Sequence, residues 1–262
     1  MSHSVVADRV AKRFDNGVVA LEDIDLRIAR GEVLSIVGPS GCGKSTFLRL
    51  VAGLLPLSEG TLTVHGTEVT KPRQDVGFMF QKPTLLPWKT ALENVVLPRQ
   101  LQGTKPAHVY EEAERLLDMV GLGGFEHSYP PHLSGGMQQR VALARLLVMG
   151  VETLLLDEPF AAVDELTRER LNMEFLDIHQ RIGATVILVT HNIGEAVFLS
   201  DRVYVMSPRP GRHAATFGVE LPRPRTLEHL HSQEFNDTTY RIRQVLERVE
   251  GERQEAELQG AA

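Results

Sequence analysis

The segment from Gly38 to Ser45 carries a phosphate-binding pattern. It runs Gly-Pro-Ser-Gly-Cys-Gly-Lys-Ser and matches G-x-x-x-x-G-K-[ST] in full. Gly41 and Gly43 allow the backbone to curl with its N–H groups pointing inward, which forms a nest for an anion. A helical pattern follows the loop, and the N-terminus of that helix would add a partial positive charge. The segment therefore predicts a loop that holds the phosphates of a nucleotide.

Separate tasks are expected of the residues in this loop. Lys44 should reach the β- and γ-phosphates, Ser45 should offer a hydroxyl to Mg²⁺, and Thr46 should offer another to a phosphate. Cys42 occupies a variable position, where a small filling side chain is expected, although a thiol at a helix N-terminus could be acidified and sense redox state. The residues expected to bind the nucleotide here are Gly38, Ser40, Gly41, Cys42, Gly43, Lys44, Ser45 and Thr46.

A pair of acids follows a second apolar run. Residues 153–159 are TLLLDEP, a strand pattern that would deliver two carboxylates to the carboxyl edge of a sheet, beside the phosphate loop. Asp157 is expected to hold Mg²⁺ directly or through water, and Glu158 to polarise an attacking water. Buried strands often end in Asp, so the phosphate loop upstream is what gives this pattern weight. The motif N-K-x-D of guanine-selective proteins does not occur in the sequence, which disfavours a GTPase.

The elements that must position these residues alternate in type. Strand patterns occur near the start, at 33–38, after the first helix, at 153–157, 184–190 and 202–206, with helical stretches at 165–182 and 193–200. Such alternation predicts an α/β fold whose mostly parallel sheet is covered on both faces. The chain looks helical from about Thr90 to Met149, which indicates an insertion.

The C-terminal part is set off by prolines between 208 and 224. A helix is expected at 234–250, and its apolar residues could form one stripe, as an accessory helix would require. The expected organisation is a nucleotide-binding domain at 1–222, with its helical insertion at about 88–152, and a helical tail at 223–262. The stripe consists of Phe235, Ile242, Val245, Leu246 and Val249.

Composition excludes several classes of protein. The formal charge of −6 and the absence of a long basic run argue against nucleic acid as a main partner. With Cys42 as the one cysteine, no internal disulfide can form and a reducing compartment is expected. No stretch approaches the ~20 consecutive apolar residues of a spanning helix, and the N-terminus lacks an apolar signal core. If the protein acts at a membrane, we therefore expect it to act from the cytoplasmic side, through another protein.

Residues 133–140, LSGGMQQR, carry a family resemblance. Ser134 can cap a helix, and the two following glycines leave the helix start open to a phosphate. This stretch resembles the signature sequence of ABC ATPases. With the phosphate loop and TLLLDEP in the family's order, residues 5–220 or so resemble an ABC nucleotide-binding subunit. The resemblance implies a P-loop NTPase core with an antiparallel β subdomain and an inserted helical subdomain.

The same resemblance implies a head-to-tail dimer. In the family, the signature of one subunit closes over the ATP held by the phosphate loop of the other. The signature residues expected at the partner's nucleotide are Ser134, Gly135, Gly136 and Gln138.

Further positions match family motifs. Gln81 resembles the Q-loop glutamine, which senses Mg²⁺ and the attacking water, and is expected as a metal ligand. His191 resembles the switch histidine that contacts the γ-phosphate, and Asp164 the D-loop aspartate at the subunit interface. Phe14 resembles the aromatic residue that stacks on adenine, although a Phe at a strand end can also belong to the core. The expected catalytic set is Glu158, His191, Gln81 and Lys44.

The sequence departs from the family at some positions. Asn192 stands where Asp is common after the histidine, and the D-loop has Ala161 and Val163 instead of the usual residues. Gln139 lies in the variable part of the signature. These departures put the dimer contact and the coupling rate in question, but not ATP hydrolysis.

A subgroup is indicated by LLPWKT at 85–90, followed by ALENVVLP. This stretch, with RPGR and LPRPR in the tail, resembles the ATPases of nitrate, sulfonate and taurine importers. The resemblance implies that the segment after Gln81 forms a groove for a cytoplasmic helix of an integral-membrane permease. Trp88 would anchor that interface, unless it is local core packing. It also implies a peripheral place on the inner membrane and an indirect partner, an extracytoplasmic solute-binding protein.

Two alternatives remain at this point. One is a soluble ABC ATPase that serves protein assembly or translation; translation factors of this kind usually carry two ATP domains, whereas this chain has one. The other is a non-enzymatic nucleotide-binding module, which would need a degraded Glu158 or His191 position.

Overall fold

The computed structural model describes residues 3–103, 106–161 and 163–260. The chain forms two compact units, the first containing the chain up to Arg73 and from Ala184 onward, and the second spanning Gln74–Gly183. The strands are β1 (His3–Arg13), β2 (Val19–Ala29), β3 (Val33–Val37), β4 (Glu59–Val64), β5 (Thr67–Glu68), β6 (Val76–Met79), β7 (Thr153–Asp157), β8 (Thr185–Val189), β9 (Arg202–Met206) and β10 (His213–Gly218). The helices are α1 (Lys44–Val51), α2 (Ala91–Leu101), α3 (Pro106–Met119), α4 (Gly135–Leu147), α5 (Glu165–Ile182), α6 (Ile193–Leu199) and α7 (Gln233–Gly260), with short 3-10 turns at Pro130–His132 and Leu227–His231.

An antiparallel sheet in the first unit has the strand order β2-β1-β4-β5. In β2 the apolar residues Ile24, Leu26 and Ile28 are buried while their charged neighbours are more exposed. This is the period-two alternation expected of a strand with one covered face. The apolar pattern at 21–28 therefore folds as predicted.

A second group of strands in the first unit is parallel. β3 lies between β8 and β9 and pairs with both in parallel, while β10 joins β9 in antiparallel orientation. Every residue of β3 and of β8 is buried, as expected of parallel strands covered on both faces. The carboxyl ends of β3 and β8 lead into the phosphate loop and into His191.

The second unit pairs two strands in parallel and carries most of the helices. β6 runs beside β7 from Val76 opposite Thr153 to Met79 opposite Leu156. Helices α2, α3 and α4 fall within the stretch that the sequence marks as helical, and α5 follows β7. Because β6 and β7 are parallel neighbours, the residues that follow them emerge at one edge.

Two elements near the C-terminus differ from expectation. β10 was not predicted, since its residues are exposed or half-buried and show no apolar alternation. Helix α7 is longer than expected; it buries Phe235, Ile242 and Val249, whereas Val245 and Leu246 are half-buried. Within the described part of the chain, no helix combines the length and apolar character needed to cross a membrane.

Candidate nucleotide-binding and catalytic site

The phosphate loop connects β3 to α1 in the first unit. Gly43 caps α1 with a φ of +107° and Gly41 has a φ of +75°, a region that favours glycine. A Cβ on Gly43 would lie 2.6 Å from Leu21 Cδ2 and 2.8 Å from the Ala20 carbonyl oxygen. A Cβ on Gly41 would meet no described atom within 4 Å. The loop is thus packed against the protein at Gly43 and open at Gly41.

Lys44 lies along the inside of this loop. Its side chain is buried, and its Nζ donates hydrogen bonds to the carbonyl oxygens of Gly38 at 2.7 Å and Pro39 at 2.9 Å. The ammonium is therefore held within the loop it is expected to serve.

Cys42 has the environment of an inert thiol. It is 1% exposed, and its burial raises the pKa of the thiol, an effect that the charge of Lys44 opposes only in part. A low-pKa, accessible thiol is what redox sensing needs. The structure therefore favours the filling role over the redox alternative.

Phe14 lies just after β1 and is exposed. Its ring is 36% accessible, and Lys12 Nζ lies 5.2 Å from the ring centroid, a distance that allows a cation–π contact. The alternative that Phe14 is a core residue is therefore wrong.

His191 is an exposed residue in the connection from β8 to α6. The next residue, Asn192, caps α6, because its Oδ1 accepts a hydrogen bond from the Glu195 backbone N–H at 2.9 Å. Asn and Asp are nearly equivalent at an N-cap. This departure from the family pattern thus leaves the start of α6 properly capped.

Gln81 and Glu158 meet in the second unit. Gln81 follows β6, and its Nε2 donates to Glu158 Oε2 at 2.9 Å. Glu158 follows Asp157, the buried last residue of β7, and has a φ of +48°. Strain of this kind in a residue other than glycine tends to occur at functional sites. Gln81 and Glu158, which were identified from two different motifs, are thus joined by a hydrogen bond.

The signature forms the start of α4. Ser134 Oγ accepts from the Met137 N–H at 3.3 Å and caps the helix. Gly135 is exposed, and a Cβ there would meet no described atom within 4 Å. Gln138 Nε2 donates to the carbonyl oxygens of Pro130 and Leu133. The helix start is therefore open, and Gln138 holds the turn that precedes it.

Asp164 caps α5 in the same way. Its Oδ1 accepts from the Thr167 N–H at 3.0 Å. This bond lowers the pKa of the exposed Asp164 carboxyl group. The D-loop thus presents a carboxylate at neutral pH.

Comparisons with known proteins agree on one family. The profile of the ABC transporter family matches residues 21–161. The chain is 43% identical over 253 residues to the nitrate import ATP-binding protein NrtD of Synechocystis sp., covering 94% of each chain. It is 46% identical over 217 residues to the aliphatic sulfonates import ATP-binding protein SsuB 2 of Burkholderia cenocepacia, covering 83% of this chain and 79% of that protein.

The chain belongs to the ABC transporter family. A solved dimeric structure of the ATP-binding cassette MJ0796, in a post-hydrolysis state with ADP and Pi, aligns with a TM-score of 0.74 and 32% identity, covering 83% of this chain and all of that one. The predicted α/β fold of an ABC ATPase is confirmed. As a member of this family, the protein is an ATPase that works with ATP and Mg²⁺.

The side chains of this ABC ATPase fit that cofactor. The open loop around Gly41 and the ammonium of Lys44 suit phosphate oxygens. The hydroxyl of Ser45 and the carboxylate of Asp157 are oxygen ligands of the kind that Mg²⁺ takes.

Two further residues of the ABC ATPase were missed at the sequence level. Gln139 in α4 is 1% exposed, and its Nε2 donates to the Gln81 carbonyl oxygen at 2.9 Å. Arg145, six residues further along α4, donates to the carbonyl oxygens of Pro83 at 2.6 Å and Thr84 at 3.0 Å. The signature helix thus holds the backbone of the Q-loop.

A sequence pattern could have found Gln139. Most of the α4 residues that follow it are apolar and buried, and a buried polar side chain requires a hydrogen-bond partner. A glutamine at the buried face therefore indicates a specific acceptor. The buried residues of α4 are Gln139, Val141, Ala142, Leu143, Ala144, Leu146 and Leu147.

Proposed function

We propose that this chain is the ATP-hydrolysing subunit of an importer for a small anionic solute such as nitrate, a sulfonate or taurine. The observation that carries the catalytic part is the 2.9 Å hydrogen bond from the Gln81 amide to the Glu158 carboxylate. The similarity to importer subunits supports the transport part. A soluble assembly or translation ATPase has no comparable support.

Catalysis follows from what these side chains can do. MgATP, when bound, supplies a phosphoanhydride bond and a divalent charge among its phosphate oxygens. Lys44 would neutralise phosphate oxygens, and the Ser45 hydroxyl and the Asp157 carboxylate are the groups that would hold the metal. Glu158, oriented by Gln81, aligns a water and accepts its proton. Positioning and fixed charge supply most of the rate enhancement in such a site.

The remaining site residues would each have a separate role. His191 would contact the γ-phosphate, and the ring of the exposed Phe14 would stack on adenine. A second copy of the chain packs head to tail, so that the open helix start at Ser134 and Gly135 faces the partner's phosphates and Asp164 lies at the interface. The solved cassette that aligns with this chain is dimeric, which supports the presence of a second copy.

An apolar groove in the second unit is the proposed site of the permease. It encloses about 310 Å³. Phe80 in its lining is 40% exposed and Leu101 is 80% exposed, and a contiguous exposed apolar surface marks an interaction site. The groove is lined by Phe78, Phe80, Leu97, Leu101, Leu146 and Met149, among others.

Trp88 lies four residues after Thr84, which also lines the groove. It is 69% exposed, so the alternative that it is local core packing is wrong. The loop that presents Trp88 is held by the buried Asn94, whose Nδ2 donates to the carbonyl oxygens of Leu86, Lys89 and Thr90. A rigid loop with an exposed tryptophan at its tip has the form of an interface anchor.

The partner proposed for this groove is a cytoplasmic helix of an integral-membrane permease. The chain would then be peripheral to the cytoplasmic face of the inner membrane, and a solute-binding protein outside would be an indirect partner. The division into a domain at 1–222, with an insertion at about 88–152, and a tail at 223–262 belongs to the same proposal.

Purification with the native permease, followed by reconstitution into vesicles, tests the function. Uptake of labelled nitrate, sulfonates and taurine is measured with ATP on the side of this chain. We expect one of these solutes to accumulate, and Trp88→Ala to lower uptake while ATP binding stays intact. Failure to recover any permease with the chain would favour the soluble alternative.

Glu158→Gln tests the catalytic assignment. The amide keeps the size of the side chain but cannot accept a proton, so ATP should bind, turnover should stop and an ATP-bound dimer should accumulate in gel filtration. Unchanged phosphate release by this variant would remove Glu158 from its proposed role.

A further inference from the structure

His191 has its backbone fixed from two sides. On one side, Thr190 follows β8, is 2% exposed and accepts a hydrogen bond from the Asn192 N–H through its Oγ1 at 3.1 Å. On the other side, Asn192 caps α6. Since β8 is buried along its whole length and pairs with β3, the placement of α6 is the variable that decides where His191 sits.

Arg225, from the segment that follows the prolines, binds the far end of α6. Its side chain is 4% exposed. Nη1 donates to the Phe198 carbonyl oxygen at 2.6 Å and to that of Val197 at 3.3 Å, and Nη2 donates to the Ser200 carbonyl oxygen at 2.7 Å. These are terminal carbonyl groups of a helix, which have no partner within it.

A cation at this position also complements the negative end of the helix dipole. Burial lowers the pKa of Arg225 to about 10, which still leaves the guanidinium charged at neutral pH. Arg225 therefore acts as a charged C-cap for α6, supplied by a distant part of the chain.

The near end of α6 is contacted by the same C-terminal segment. Phe235 of α7 is 9% exposed, and its Cζ lies 3.5 Å from the position that a Cβ on Gly194 would take. The start of α7 is itself fixed, because Ser232 Oγ accepts from the Phe235 N–H at 3.2 Å. Gly194 lies three residues after His191, so the ring of Phe235 packs on the turn that begins at the histidine.

These contacts hold a very short helix at both ends. The seven residues of α6 span only about 10 Å. Most of the apolar residues of α6 are buried and fix its position sideways, whereas Arg225 and Phe235 oppose sliding or tilting along its axis. Because α6 is so short, a displacement of either end of the helix would also displace His191.

We propose that Arg225 and Phe235 form a clamp on α6 that positions His191 for the reaction, so that the C-terminal segment is part of the catalytic apparatus and not only an accessory helix. Both are positioning residues, since they act through α6. The inference rests on the role proposed above for His191 at the γ-phosphate.

The test uses the full-length chain and two matched pairs of variants. Arg225→Met removes the three hydrogen bonds, and Arg243→Met makes the same change at an exposed arginine of α7. Phe235→Ala removes the packing, and Tyr240→Ala truncates an aromatic residue of α7 that is 61% exposed. Arg225→Lys retains a cation with three donors and serves as the conservative variant.

Kinetics give the first readout. Arg225→Met and Phe235→Ala should lower kcat roughly three- to thirtyfold, within the hundredfold that a misplacement of about 1 Å can cost. The KM for ATP should stay within about twofold, because the phosphate loop is untouched, and Arg225→Lys should recover most of kcat. In a His191→Ala background the two substitutions should have no further effect, since residues that act through one group are not additive.

The histidine resonances give a second readout that needs neither nucleotide nor turnover. The Cε1–H signal of His191, assigned by its loss in His191→Ala, should move in Arg225→Met and Phe235→Ala and stay in place in both controls. If Arg225→Met fails to fold, Phe235→Ala, with Tyr240→Ala as its control, carries the same comparison from the other end of α6.

The possible outcomes separate the two proposals. An unmoved His191 signal, or a fall in kcat that is equally large in the His191→Ala background, overturns the clamp while leaving the proposed function intact. Full activity of His191→Ala itself overturns the role of the histidine and the clamp together. A shifted signal with a kcat loss confined to the His191-containing chain supports both.

Discussion

Gln139→Leu isolates the contact between the signature helix and the Q-loop. The substitution keeps the approximate volume of a side chain that is 1% exposed and removes one hydrogen bond, that from Nε2 to the Gln81 carbonyl oxygen at 2.9 Å. Gln81 in turn donates to Glu158. Loss of the first contact should free the backbone of Gln81 and so loosen the second.

The expected size of the effect follows from the value of one neutral hydrogen bond. A net contribution of about 0.5–1.5 kcal/mol, if lost in the transition state, lowers a rate constant roughly two- to twelvefold. Stability should change less than this, because among the described residues Gln139 Oε1 has no hydrogen-bond partner. Replacing the amide therefore also removes a buried acceptor whose desolvation is uncompensated, which offsets part of the lost bond.

The assay is steady-state phosphate release, with the melting temperature measured in parallel. Asn172→Leu is the matched control, since Asn172 is a buried amide of α5 in the same unit whose Oδ1 likewise has no partner among the described residues. We expect kcat to fall in Gln139→Leu and to be preserved in the control. A kcat within twofold of the parent, or an equal fall when Gln81 is already alanine, would refute the idea that Gln139 works through Gln81.

Three further outcomes are expected. Lys44→Ala should weaken MgATP binding about tenfold to 150-fold in a titration, the range for losing one charge-assisted hydrogen bond; an unchanged Kd would contradict the role of the loop. Gly43→Ala should lower the melting temperature by several degrees, since its Cβ would press on Leu21 and the Ala20 carbonyl, while Gly41→Ala, which has open space, should cost less. Cys42 should react with iodoacetamide at pH 8 far more slowly than in guanidinium, because burial raises its pKa and leaves less thiolate at that pH; equal rates would show an accessible thiol.

The sequence predicted those parts of the site that depend on local patterns. The loop at 38–45 follows β3 and the two acids lie at the end of β7, where short motifs place them, because a strand followed by a turn fixes the backbone path. The alternation in β2 and the predominantly apolar runs of β3 and β8 likewise predict the burial that the structure shows for these strands.

Contacts between distant segments were outside the reach of such patterns. Gln139 meets Gln81 across 58 positions, and Arg225 meets the end of α6 across more than 24. Neither pair produces a periodic pattern in the sequence, since each contact depends on how two elements pack against each other. β10 was missed for a different reason: an exposed antiparallel edge needs no apolar alternation, and its pairing with β9 supplies its hydrogen bonds.

The buried Asn94 has a consequence for how such a subunit could change partners. Its side-chain amide is fully buried and fixes the turn around Trp88 through hydrogen bonds to backbone carbonyl oxygens. Side chains at the tip of that turn can therefore be exchanged without rebuilding the backbone that displays them. A chimaera that keeps Asn94 and swaps only the tip offers a route to redirect the ATPase to the permease of a related importer.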